Sequence, residues 1–301
     1  MSLIVFGTIA LDNIKTPSGV RKNLLGGSAS HFAMSARLFT KVRLASVIGE
    51  DFPSRHLRFF KQKGIDIDPV ERMQGKSFAW HGEYKDSDFN TAITLATELG
   101  VLADYRPSLP DSHKNIKNVF LANFDPDNQE RFLSLMKSPD FVGMDTMNLW
   151  INNNKNSVKR LMRKVNIFVV NDGEARALAE EMNLIKAAKK LRKMGPQFVV
   201  IKKGEHGVLF YCDEFMFSFP AYPIEKVVDP TGAGDTFAGG LMGCISMARK
   251  INERLLRKAV VYASCMASFN VEGFGISKTA ALTLQEVDER KSYFLNFMRA
   301  Y

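Results

Sequence analysis

The stretch from Val227 to Gly240 reads Val-Val-Asp-Pro-Thr-Gly-Ala-Gly-Asp-Thr-Phe-Ala-Gly-Gly and runs into an apolar segment through Leu241, Cys244 and Ile245. This pattern predicts a loop entering a helix. Gly232 and Gly234 permit a tight turn. The free N–H groups of the helix start, together with the positive end of its dipole, offer a seat for an anion such as a phosphate. A carboxylate in that seat makes electrostatic sense where it meets a protic group, such as a hydroxyl attacking phosphorus. Asp235 is therefore the candidate general base. The plain alternative is that Asp235 caps a helix, as Asp often does.

Four further constellations point to related chemistry. Gly7-Thr8-Ile9-Ala10-Leu11-Asp12 places a carboxylate after the first strand, and an acceptor-only group suits a pair of sugar hydroxyls; a turn residue is the ordinary reading. Gly26-Gly27 opens a helix whose first turn carries His31, which can donate or accept, or be structural. Asn171-Asp172-Gly173-Glu174 follows a strand, where Glu174 could act on Mg²⁺ through water or simply start a helix. Ile201-Lys202-Lys203-Gly204-Glu205-His206-Gly207 is a strand followed by a glycine turn. Gly204 and Gly207 there allow close approach of a ligand, with Lys202 within range of phosphates or merely a surface lysine. No G-x-x-x-x-G-K-[ST] occurs, which excludes a P-loop enzyme.

The string from Asp229 to Gly240 closely resembles the signature of the ribokinase-like family of sugar and nucleoside kinases, also called the phosphofructokinase-B type. The resemblance spans nearly the whole chain. It implies Asp235 as catalytic base, with Gly232, Ala233 and Gly234 forming an anion hole. It implies Asp12, Gly26, Gly27 and His31 as substrate contacts, although many sugar kinases of the family carry Asn at the position of His31. It also implies Asn171, Glu174, Lys202, Gly204 and Gly207 on the nucleotide side, and a monovalent-cation loop, K⁺ in some members, around Asp229 and Thr231. ATP and Mg²⁺ are the implied co-reactants.

Elements must hold these residues in place. Residues 2–8 read as a buried strand, 28–39 as a helix and 42–48 as a strand. Short apolar strands follow at 118–122, 141–145, 167–171 and 198–202, separated by helices such as 127–137 and 175–182. Such alternation predicts an α/β fold with a mostly parallel central sheet flanked by helices. Segments 76–84 and 91–98, joined by a polar turn at 85–90, read instead as a hairpin off the main sheet. With residues 13–25 they form a small β-sheet lid over the strand ends, where ligands bind in open α/β sheets. The lid brings Phe78, Trp80, His81 and Phe89 near the site, as a stacking wall or as an interface between two subunits. Asp145, Asn148 and Trp150 follow a strand end and face the same region.

The 301 residues carry 46% hydrophobic and 24% charged residues, which supports a sizeable core and argues against disorder. The expectation is one domain over 1–301 with a discontinuous lid. A net charge of +9 attracts anions without choosing among them. The basic stretches 155–164 and 186–193 have helical period and read as solvated faces, and no aromatic-interleaved basic patch indicates nucleic acid. Cys212, Cys244 and Cys265 are odd in number and lack C-x-x-C spacing, so neither a disulfide framework nor a zinc site is expected. No 18-residue apolar stretch or basic leader occurs, which predicts a cytoplasmic protein with no membrane partner. The lid hairpin cannot bury its apolar face alone, which predicts a homodimer.

Together these observations predict an ATP-dependent kinase acting on a hydroxyl of a small molecule. A free sugar or sugar-like polyol is favoured because Asp12 and Gly26-Gly27 describe a hydroxyl-reading pocket. A nucleoside kinase of the same family is the alternative, and a non-catalytic binding protein on the same fold is the more distant rival.

Overall fold

The structure, a computed structural model, describes residues 2–299; Met1, Ala300 and Tyr301 lie outside the described residues, as do those ends of the 1–301 domain reading. Along the chain come β1 (Ser2–Phe6), β2 (Ala10–Thr16), β3 (Gly19–Gly26), α1 (Ser28–Ala36), β4 (Lys41–Gly49), α2 (Ser54–Gln62) and β5 (Val70–Met73). Next are β6 (Ala79–Lys85), β7 (Asp88–Glu98), β8 (Asn118–Leu121), α3 (Pro126–Leu135), β9 (Phe141–Asp145), α4 (Asn148–Asn153) and α5 (Lys155–Met162). Then follow β10 (Ile167–Asn171), α6 (Asp172–Ala179), α7 (Leu184–Lys193), β11 (Phe198–Lys202), β12 (Val208–Tyr211) and β13 (Met216–Phe219). The last are α8 (Ala233–Ile245), α9 (Glu253–Val271), α10 (Ser277–Ala281) and α11 (Leu284–Phe297).

The main sheet has nine strands in the order β13-β12-β11-β10-β9-β8-β1-β4-β5. Pairing is parallel from β11 through to β5, and the β11–β12 and β12–β13 pairings at one edge are antiparallel, so that β12 runs against the other strands. The central strands are apolar at nearly every position because helices cover both faces. In β1, Leu3 and Val5 join one core cluster while Ile4 and Phe6 join the other, as the two-residue period of a strand requires. The first cluster packs against α1, α8 and α9, the second against α3, α5, α6 and α7. Phe6 is fully buried and stacks on Phe132 with ring centroids 4.4 Å apart; replacing such a ring with alanine costs about 3–5 kcal/mol.

β1 is followed in space by β4 and β5 on one side and by β8 to β11 on the other. The strand order therefore reverses beside β1, and that reversal opens a crevice at the carboxyl ends of the strands. Over it lies a second sheet of four strands, β3-β2-β6-β7. This is the lid, and it is more regular than expected. Residues 13–25 are part of a hairpin, β2 and β3, so that Asp12 itself stands on a lid strand.

Several boundaries differ from expectation for local reasons. The turn expected at 85–90 shrinks to Asp86 and Ser87, because the Asp88 carboxylate accepts from the amides of Asn90 and Thr91 and organises the start of β7. The helix expected at 175–182 runs from Asp172 to Ala179. Asn171 and Glu174 close a reciprocal capping box that begins it earlier, and Glu180 ends it in the left-handed region. The helix expected at 28–39 stops at Ala36. The basic stretches 155–164 and 186–193 do turn charge outward, with Lys155, Arg160, Lys164 and Lys190 paired to carboxylates.

Candidate active site

The carboxyl ends of β1, β8, β9, β10 and β11 bring Thr8, Asn123, Asp145, Glu174 and Lys202 to one crevice. The lid supplies Asp12. Its side chain is 4% exposed and lies so close over Gly26 that a Cβ there would fall 1.8 Å from Oδ2. Gly26 is thus the residue that lets the carboxylate approach the backbone, while the Gly27 amide donates to it. Burial pushes the Asp12 carboxyl up to about 7, the Gly27 amide opposes this, and the nearby Asp229 and Asp235 charges add to it.

β2 and β6 pair in parallel with Asp12 opposite Trp80. Residues directly opposite in a sheet share a face, so Trp80 stands on the cleft side of the lid beside Asp12. Its indole lies along Gly82, where a Cβ would meet the ring at 1.9 Å, and Nε1 donates to Thr94 Oγ1 at 3.2 Å. The ring is therefore held flat against the sheet as a platform. His81 falls on the opposite face, where Nε2 lies 3.1 Å from Glu98. Tyr84 continues the inner face, its hydroxyl 3.5 Å from Thr231 Oγ1. Phe89 is half-buried in the hairpin tip.

Facing the lid, α8 is entered through its N-cap Gly232, whose φ of 73° lies in the left-handed region. Asp235 is in the first turn of α8, as the loop-into-helix reading requires. Burial raises its carboxyl above the ordinary range, and the His31 and Lys202 side chains draw it back down. Lys202, the last residue of β11, points at the same turn: a Cβ on Gly234 would lie 2.7 Å from its Nζ. Across the crevice, Asp145 is raised well above its ordinary value by burial and by the Asp235 charge, against the pull of Lys202. Its Oδ1 is buried with no hydrogen-bond partner.

His31 does not line the open cleft. Its ring is 1% exposed and packs beneath Gly232, with Nδ1 3.1 Å from Asn270 Oδ1. Asn171 and Glu174 are engaged with each other in the capping box, and burial raises the Glu174 carboxyl while Lys202 lowers it. Asp229 is fully buried; one oxygen accepts from the Thr231 amide at 2.9 Å, the other from the Gly275 amide at 2.8 Å. Gly204 and Gly207 bound a short 3-10 turn, and the lid tip reaches it, because Asn90 donates to Glu205 and packs on Gly204. Asn148 is exposed at the start of α4, and Trp150 donates to Asn123 Oδ1 at 3.0 Å.

The structure thus assembles Asp12, Gly26, Gly27, Asp235, the Gly232–Gly234 turn and Lys202 around one crevice. Glu174 stands beside Lys202, and the Gly204–Gly207 turn sits under the lid tip. Sequence reasoning missed Asn270 and Asn90. Asn270 had a faint signal, the lone Asn in the run that forms α9; Asn90 had none, because its partner lies 115 residues away. Among the described residues, no cluster of three or more His, Cys, Asp or Glu side chains is arranged to hold a metal ion. No described helix is long and apolar enough to cross a membrane.

An open parallel sheet with a carboxylate at a glycine-rich helix start, roofed by a small β-sheet, is the architecture of the ribokinase-like kinases. The chain belongs to the pfkB family of carbohydrate kinases, whose profile matches residues 4–280. It is 31% identical over 260 residues to a cytidine kinase of Thermococcus kodakarensis, covering 84% of this chain and 91% of that one. Its fold is similar to that of a Burkholderia thailandensis nucleoside kinase solved with inosine, at a TM-score of 0.79 and 21% identity, covering 98% and 99% of the two chains. It is also similar to an E. coli protein described as a putative ribokinase II with ATP and Mg²⁺, at a TM-score of 0.81 and 16% identity, covering 97% and 99%.

Proposed function

We propose that this protein is an ATP-dependent nucleoside kinase that transfers the γ-phosphoryl group of ATP to a primary hydroxyl of the ribose. The observation that carries this reading is the place of Trp80, flat on the cleft face of the lid and in register with Asp12. A carboxylate that accepts from a sugar diol beside an aromatic platform matches a molecule with a ribose at one end and a planar base at the other. The sequence alone favoured a free sugar, on Asp12 and Gly26-Gly27; a ribosyl group satisfies those residues equally, and a planar base covers more of the indole face than a free sugar does. The cytidine kinase relative supports the same choice.

In the proposed transfer Asp235 accepts the proton of the attacking hydroxyl, whose oxygen bonds to the γ-phosphorus as the bond to the β-phosphate oxygen breaks, releasing ADP. The amides of the Gly232–Gly234 turn and the Lys202 ammonium stabilise the negative charge on the transferring group. The Lys202 Nζ lies against Gly234 of that turn, within reach of a phosphate seated there. Mg²⁺ arriving with ATP needs only one or two carboxylates; Glu174 and the unpartnered Asp145 Oδ1 fit that need, and the ion neutralises phosphate charge when bound.

A coupled ADP-release screen of nucleosides and free sugars tests the reading. Nucleosides should be turned over with kcat/KM at least about a hundredfold above any sugar. Trp80→Leu should lower nucleoside kcat/KM by about ten- to a hundredfold, the worth of about 1–3 kcal/mol of base stacking. Asp235→Asn should lower kcat by about 10² to 10⁴. A sugar preference that Trp80→Leu leaves unchanged would return the substrate to the free-sugar class.

A further inference from the structure

Transfer by Asp235, the turn amides and Lys202 leaves His31 without a task, although its ring lies directly against the turn that carries those amides. A Cβ on Gly232 would fall 2.2 Å from His31 Nδ1 and within 2.4 Å of two further ring atoms. The imidazole is the floor of the turn. It stands in the first turn of α1, whose N-cap is Gly27, next to the Gly26 that admits Asp12.

The partners of Asn270 settle which way the hydrogen bonds run. Asn270 Nδ2 donates to the Thr231 carbonyl at 2.8 Å, so its Oδ1 is the atom turned toward His31 and Thr236. The Thr236 hydroxyl donates to that oxygen at 3.0 Å. An amide oxygen only accepts, so His31 Nδ1 carries a proton and donates at 3.1 Å. Nε2 is buried with no partner. Thr231 and Thr236 bracket the turn on either side, and the Asn270 side chain ties both to His31.

We propose that His31 is a positioning residue for phosphoryl transfer: by donating Nδ1–H to Asn270 it holds the Gly232–Gly234 turn in the orientation in which the amides and Asp235 meet the reacting groups. The proposal rests on the kinase reading of this site. Without the donor, the Asn270 oxygen loses one of its two partners and the amide is no longer pinned; a rotated amide presents oxygen to the Thr231 carbonyl, and the turn relaxes. Misplacement of reacting groups by 1 Å costs about a hundredfold in rate. Because the amides act on the transition state, the loss falls on kcat rather than on KM.

Three near-neighbour variants test this with cytidine and MgATP, or with the best substrate of the screen. Asn keeps a donor close to the place of Nδ1, whereas Gln places its amide near Nε2. His31→Ala and His31→Gln should lose about ten- to a hundredfold in kcat with substrate KM within about threefold, and His31→Asn should recover most of the loss. A rise in KM with kcat intact, or rescue by Gln and not by Asn, overturns the proposal and makes Nε2 a direct substrate contact. Wild-type turnover is measured first, since a wild type that phosphorylates neither nucleosides nor sugars overturns the kinase reading instead. Amide hydrogen exchange across residues 229–241 needs no substrate and separates the two cases. Faster exchange in His31→Ala and His31→Gln than in His31→Asn supports the proposal, and unchanged exchange in all three overturns it.

Discussion

Asp12 joins the residue scale to solution behaviour, because its carboxyl is buried against two other acids and sits at about 7 rather than 3.8. A raised carboxyl favours the neutral form in the fold. Its contribution to stability is therefore full below about pH 4 and is lost as the pH rises through about 7. Asp12→Asn removes that penalty, which for a shift of this size is on the order of a few kcal/mol. The variant should unfold at a higher temperature than wild type at pH 8 and at nearly the same temperature at pH 3.5, by calorimetry or circular dichroism. An equal change at both pH values would show that Asp12 titrates normally. The residue types of this site were legible in the sequence because each has a local signature: a carboxylate after glycines, a glycine pair before a helix, a capping Asn three residues before Glu. Asn171 and Glu174 show the limit of such signatures, since the same spacing serves a capping box and a nucleotide site alike.

At the scale of elements the lid hairpin is the part that spans both halves of the site. Its strands β2 and β6 carry Asp12 and Trp80, and its tip carries Asn90 to Gly204 and Glu205. Gly204 has a φ of 56°, and a Cβ there would fall 2.0 Å from Asn90 Oδ1. Gly204→Ala should therefore strain the turn by about 1–2 kcal/mol and lift the tip. If the proposed kinase reading holds, steady-state kinetics should show KM rising for both ATP and nucleoside, because one element touches both sides of the crevice. A rise confined to ATP would mean that the tip contact does not hold the lid. Strand existence was readable here from composition, but the turn length was not. Asp88 decides it through hydrogen bonds to the amides that follow, a choice among several turns that a polar six-residue stretch permits.

For the whole molecule the open question is what covers the outer face of the lid. Val20 and Ile93, opposite Lys15 and Glu83, are 53% and 39% exposed, and Leu95 in the neighbouring bulge is 60% exposed. Exposed apolar side chains flanking the Lys15–Glu83 ion pair on this face are expected to be covered by a second copy. Sedimentation at micromolar concentration should give twice the 33.8 kDa of one chain, and Leu95→Lys should shift it toward monomer. A monomeric wild type would remove the lid pairing.

The sequence by itself determined the family, the α/β class and the loop that carries Asp235. Each of these rests on interactions between residues close in the chain: glycine turns, helix starts, and apolar runs buried on both faces. It left Trp80 equally suited to an interface or to the cleft, and His31 equally suited to substrate or to structure. Only the tertiary structure decided their positions. The face of a strand follows from its register with another strand, and Trp80 takes its register from a β2 residue 68 positions earlier, Asp12. His31 meets its partner Asn270 across 239 residues, through the packing of α1, α8 and α9, a contact that no local pattern encodes.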